Sequence, residues 1–215
     1  MELYADPITV NCKKVLAGFA LMGIPYTLKK VDYFKSEQKN PDYMALNPMA
    51  SLPAIKDGDL VLWESNAILQ YAADKHHQYA FYSTEPKTRA DINRWLFWES
   101  NSWFPSCYVF LVDNCVKPLL GGAPDPAVLA KEEPNFHRLA SILDARLATS
   151  EWLCGPGPTI ADIAVASPMH LRNWQKLPIA QHKHLHRWMT QNVEALPAWQ
   201  KTMVYEGFAL QKAAA

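Results

Sequence analysis

The chain has 215 residues, of which 49% are hydrophobic and 20% charged, with 21 basic side chains against 21 acidic ones. That composition excludes an intrinsically disordered chain, and the cancelled charge leaves no electrostatic footprint for nucleic acid or an anionic membrane surface. No run of about 18 apolar residues occurs, and MELYADP lacks a basic segment followed by an apolar one, so neither a membrane span nor a secretory leader is expected.

In chain order, ELYAD reads as a short strand. From Asn11 the period becomes helical, with Val15, Leu16, Phe19 and Met22 on one face, and Gly23-Ile24-Pro25 stops it. YTLKKVD gives a second strand, and a helix crossing between two strands implies a parallel pair. PAIKDGDLVLW reads as a hairpin in which Asp57-Gly58 supply the positive φ of a tight turn. SNAILQYAADKH closes the unit as a helix with Ser65 at its N-cap. The order βαβ, connection, ββα describes a small α/β domain of thioredoxin type over residues 1–80, with Ser83 to Pro86 as the linker.

Beyond the linker, residues 87–215 read as all-α. Phe136, Leu139, Ala140, Leu143 and Leu147 recur at the spacing of a helix buried on one side. LHRWMTQNV and PAWQKTMV read as shorter helices, and the closing alanines as a frayed end. In GPTIADIAVAS, Thr159 and Asp162 make a capping-box pair and Pro158 and Ile163 a hydrophobic staple, which is a folding signal rather than a catalytic pair. Cys12, Cys107, Cys115 and Cys154 form neither a CxxC nor a zinc pattern and fit free thiols in a reducing cytoplasm. His182 and His186 stand four apart in HKHLHRW, but without further ligand spacing they read as a solvated helical face, and no metal is expected.

The stretch NPMASLPAIKDGDLVLWESNAILQYAADKH, the N-terminal YADPITVNCKKVLAGFALMGIPY and the PTIADI box together resemble the cytosolic glutathione transferases. The TVN loop is similar to the bacterial nu-type form, and SEQKNPDYMALNPMASLPAI to the phi-type form. The resemblance implies glutathione as co-substrate, a hydrophobic electrophile as acceptor, a homodimer, a cytoplasmic location and a detoxifying role. It also implies a cis Leu52-Pro53 bond, with the Leu52 backbone pairing with the cysteinyl unit of glutathione like one rung of sheet. Ser65, at a helix N-terminus, would take the γ-glutamyl carboxylate, and Glu64 the ammonium. Gln38, Lys39 and Ser51 would reach the glycyl end.

The same resemblance makes Thr9 the hydroxyl that stabilises the glutathione thiolate, with Asn11 as a second donor. A free thiol has a pKa of about 8.5, and lowering it by about two units needs roughly 2.7 kcal/mol. One hydroxyl donating to a charged sulfur contributes about 1.5–3 kcal/mol, and a helix N-terminus about 0.3–1 kcal/mol, which together suffice. Tyr4, before the loop, reads as a packing residue, and Cys12 as a small core residue rather than a redox nucleophile. The acceptor is expected between the domains, against the aromatic segment RWLFWESNSWFPSCYVF, with Trp103 and Phe110 touching it. Two other functions use the same pocket: a glutathione-dependent disulfide reductase, and a non-catalytic ligand-binding protein.

Overall fold

The structure is a computed structural model that describes residues 1–203; the closing alanines and the last residue of PAWQKTMV lie outside the described residues. Its N-terminal half is a four-stranded sheet in the order β2-β1-β3-β4, made of β1 (Glu2–Ala5), β2 (Thr27–Lys30), β3 (Ala54–Asp57) and β4 (Leu60–Trp63). β1 pairs parallel to β2 across the helix α1 (Val10–Met22) and antiparallel to β3, so Leu3 faces Leu28 on one side and Ile55 on the other. Central position and alternation bury Leu3 and Ala5 completely. The hairpin differs from expectation by one residue. Asp57 is the last residue of β3, paired with Leu60, and only Gly58 takes a positive φ, of 63°. Two-residue turns accept glycine at that first central position, which frees Asp57 to bind Tyr71 and Lys75.

Helix α1 is buried on nearly every side, because α3 (Ser65–Lys75) packs on one flank and the helical half on the other. Gly18 faces α3: a Cβ there would lie 2.3 Å from Leu69 Cδ2, so any larger residue would force that side chain to shift. Gly23 ends α1 in the left-handed conformation at φ 65°. A short α2 (Pro41–Met44) lies between β2 and β3.

The helical half starts at α4 (Pro86–Trp98), where the Glu85 side chain accepts from the Lys87 and Thr88 amides. The chain continues through a π-helical segment (Glu99–Trp103), α5 (Phe104–Leu111), a second π-helical segment (Val112–Val116) and α6 (Lys117–Leu119). Pro105 and Pro118 stand two residues after these wider turns; proline lacks the amide of a regular turn and crowds the carbonyl of the turn before it, which a wider turn relieves. Then come α7 (Pro126–Leu147), α8 (Ile160–Ala166), α9 (Arg172–Gln175), α10 (Lys183–Arg187) and α11 (Pro197–Gln200). The expected face of α7, Phe136 through Leu147, is buried. At α8 the Thr159–Asp162 capping box is formed, and Asp162 is fully buried.

Two adjacent lysines of α1 join the halves. Lys14 Nζ donates to Glu99 Oε2 at 2.7 Å, with both side chains almost entirely buried. Lys13 Nζ donates to the Trp199 carbonyl at 2.8 Å and to Thr202 Oγ1 at 2.7 Å, over the Trp199 ring. No helix among the described residues is long and apolar enough to cross a membrane.

Candidate active site

A cleft of about 460 Å³ opens where the start of α1 meets α5. That size suits a small molecule or short peptide. Thr9 occupies the N-cap position of α1 with an extended backbone, φ −81° and ψ 144°, yet its side chain makes no capping bond. Its hydroxyl instead donates to the Asp6 carbonyl at 3.1 Å, an oxygen that also accepts the Thr9 N–H at 3.1 Å. Turning the O–H toward another acceptor therefore leaves the Asp6 carbonyl paired. Thr9 and Asn11 both line the cleft, at the end of α1 where free amides favour an anion.

Four more of the expected residues reach the same cleft: Gln38, Lys39, Ser51 and Leu52. Gln38 is 5% exposed and its Oε1 has no partner among the described residues, so the cleft offers one buried acceptor. The Leu52-Pro53 bond is cis. The segment before it is held by Tyr43 Oη and Asn47 Nδ2, which donate to the Ser51 carbonyl at 2.6 and 2.8 Å. Ser65 is the first residue of α3 rather than its cap; Glu64 takes the cap position at φ 73°. The hydroxyl at the helix start thus belongs to the first turn, where it donates to Asn11 Oδ1 at 3.4 Å. Glu64 and Ser65 do not line the cleft wall itself, but Asn11 connects Ser65 to it.

The opposite wall corrects the expected acceptor contacts. Trp103 is fully buried, stacked on Trp98 and donating its indole N–H to the Val165 carbonyl at 3.0 Å. Phe110 packs on Phe136 in the core. Neither faces the cleft, which is lined instead by Phe104, Tyr108, Leu111, Cys115, Val116 and Leu119, with Leu171 and Trp174 from the α9 region. Phe104 and Tyr108 stack with centroids 5.3 Å apart. Phe104, Tyr108, Leu111, Cys115 and Leu119 recur at i, i+4, i+7, i+11 and i+15, one apolar stripe beside the core stripe that carries Trp103, Cys107 and Phe110. The stripe is present in the sequence, but periodicity alone does not say which of the two stripes faces the cleft. Tyr33 and Phe34, from the turn after β2, complete the mouth and had no signature in the sequence.

Cys12 is fully buried, and desolvation pushes its thiol up to about 12, so it is neutral at physiological pH and is not a nucleophile. Tyr4 lies on β1, donating to Glu2 Oε2 at 3.0 Å and packing on the core. His182 meets His137 of α7, its Nε2 2.9 Å from His137 Nδ1. The arrangement as a whole offers a hydroxyl and a helix start for an anion, a backbone edge for an extended peptide, and an apolar wall facing both.

Comparison with known proteins places the fold. The sequence model described as "Glutathione S-transferase, N-terminal domain" matches residues 10–75, and that described as "Glutathione S-transferase, C-terminal domain" matches residues 72–197. Glutathione S-transferase 3 of Zea mays is 34% identical over 210 residues, covering 94% of this chain and 93% of that protein. The crystal structure of glutathione transferase F7 from Populus trichocarpa superimposes with a TM-score of 0.86 at 27% identity, over 95% of this chain and 99% of the other. A theta-class glutathione S-transferase from Xanthomonas axonopodis pv. citri, solved with glutathione bound, gives a TM-score of 0.84 at 28% identity, over 95% and 97%.

Proposed function

The chain belongs to the glutathione S-transferase family and is a glutathione transferase, and on that premise we propose how its own residues do the work. Glutathione lies along residues 1–80, its cysteinyl backbone paired with Leu52 beside Pro53. Its γ-glutamyl end is held by Ser65 and Glu64, and its glycyl end by Gln38, Lys39 and Ser51. The sulfur then projects at Thr9, whose hydroxyl and the adjoining helix start stabilise the thiolate, with Asn11 beside them. The thiolate attacks an electrophilic carbon of a hydrophobic acceptor held in the part of the cleft that residues 87–203 supply. Of the nu-like and phi-like alternatives, the plant relatives favour the phi-like one. The same family reading makes the working unit a cytoplasmic homodimer with a detoxifying role. Met49 and Phe97, 64% and 65% exposed, are the kind of apolar surface a second copy covers.

The observation that carries the reading is the position of Thr9. It is the cleft-lining hydroxyl at the start of α1, uncommitted to capping and facing an apolar wall. Replacing Thr9 with Val keeps the shape and removes the donor. Conjugation of a chloronitroarene should fall about 10- to 150-fold, the equivalent of one charge-assisted hydrogen bond, while glutathione affinity holds. Full turnover in that variant would put the catalytic donor elsewhere. Hydroxyethyl disulfide, assayed on the same preparation, separates the transferase from a reductase: a protein that reduces it without conjugating the arene belongs to the second class.

A further inference from the structure

Asp6 is a buried carboxylate, 6% exposed, three residues before Thr9. Its oxygens take backbone amides: Ile8 N–H donates to Oδ1 at 3.3 Å, and Tyr33 N–H to Oδ2 at 3.0 Å. Those two donors belong to separate segments, the loop that leads into α1 and the turn that follows β2. Both segments line the cleft, through Ile8 and Thr9 on one side and Tyr33 and Phe34 on the other. The carbonyl of the same residue holds the amide and hydroxyl of Thr9. One residue thus fixes the Thr9 loop at three points and fastens it to a segment 27 positions away.

Charge alone does not explain an acid here. A buried carboxylate is costly, and beside a site that is to hold a thiolate it acts in the wrong direction, since like charges oppose one another. Burial is what raises the neighbouring Cys12 thiol, and this carboxylate adds a small push in the same direction. What Asp6 contributes is therefore geometric. Resting on the assignment of Thr9 as thiolate donor, we infer that Asp6 is a positioning residue, a clamp between the Ile8–Thr9 loop and the Tyr33 turn that fixes where the Thr9 hydroxyl meets sulfur.

Geometry and charge have opposite signs in one experiment. Asp6→Asn keeps the size and one accepting oxygen, removes the negative charge and turns an N–H₂ group toward a backbone N–H. Losing the clamp displaces the Thr9 donor, so the acid limb of the kcat/KM profile for arene conjugation should move up by about one pH unit. At neutral pH, kcat/KM should fall about tenfold, with KM for glutathione within about twofold. Simple removal of an anion would move the same limb down. A limb that stays or moves down, or an undiminished kcat/KM, overturns the clamp. Thr9→Val is measured beside it: an impaired Thr9→Val with an intact Asp6→Asn sinks the clamp alone, whereas an intact Thr9→Val sinks the Thr9 assignment and the clamp together. Should Asp6→Asn not fold, amide exchange in the wild-type protein decides. Slow exchange at both Ile8 and Tyr33 supports the clamp, and fast exchange at either one refutes it.

Discussion

Thr9, Cys12 and Lys13 lie within two turns of α1 and differ in what surrounds them. Thr9 faces the cleft, Cys12 the core, and Lys13 a carbonyl, a hydroxyl and an indole face. Burial lowers the Lys13 ammonium to about 7, and the part-buried His170 also feels its charge. The sign follows from proton linkage. In the unfolded chain the lysine holds its proton up to about pH 10.4, so between pH 7 and that value the unfolded state binds more protons and the fold gains stability as pH rises. Below pH 7 the folded state must bury the charge, and that stabilisation is gone. Lys13→Met removes this dependence. Its stability relative to the wild type should be highest at pH 7 and below and fall by up to about 1.4 kcal/mol per pH unit above it. Urea midpoints at pH 6.5, 8 and 9.5 measure it; a gap that stays constant would mean that Lys13 titrates normally. Nothing in the periodicity marks this lysine as buried, because lysines ordinarily face water and one helical half cannot show what the other will cover.

Elements were legible wherever one short segment carries its own signal. The βαβ unit, the stop at Gly23 and the α8 capping box are local statements of turn chemistry and hydrogen bonding, and they stand in the structure. The apolar wall of the cleft was not legible for a related reason. The segment through α5 carries two apolar stripes, one through Trp103, Cys107 and Phe110, the other through Phe104, Tyr108, Leu111 and Cys115. Periodicity identifies both but does not say which faces α7 and which faces the cleft. The α8 box, by contrast, does more than its sequence implied. Asp162 accepts from the Thr159 amide and hydroxyl at 2.9 Å each, and also from the Leu153 amide at 2.9 Å and the Trp188 indole at 3.3 Å. Asp162→Ala would strand buried donors on three segments at once. A loss of about 3 kcal/mol or more is expected, well above the roughly 1 kcal/mol of an ordinary cap. Denaturant titration tests it, and a loss near 1 kcal/mol would mean that the box acts only as a cap.

At the scale of the molecule, the cleft exists only because two halves meet in one register, and the Lys14–Glu99 pair lies across that meeting. Glu99 Oε2 takes Lys14 Nζ at 2.7 Å and Asn66 Nδ2 at 3.2 Å, which joins α1, α3 and the end of α4 at one atom. A buried pair is a weak source of stability, since desolving two charges offsets most of their attraction, but removing one partner leaves the other stranded. Glu99→Leu should therefore cost about 3–5 kcal/mol, whereas Lys14→Met combined with Glu99→Leu should return to within about 1 kcal/mol of the wild type or exceed it. Stability alone would then say that the pair is dispensable. Register is the remaining role, because α1 carries Thr9 and the chain that leaves Glu99 carries Phe104 and Tyr108 on the facing wall. An apolar substitute packs but does not choose one alignment, so the double variant should fold stably and still show a raised KM for the acceptor, with glutathione binding unchanged because α3 and the Ser51–Leu52 edge lie on one side of the junction. Denaturation and steady-state kinetics on the single and double variants give both halves of this test. A double variant with wild-type kinetics would show that packing alone sets the two walls, and that the ion pair has no part in aligning them.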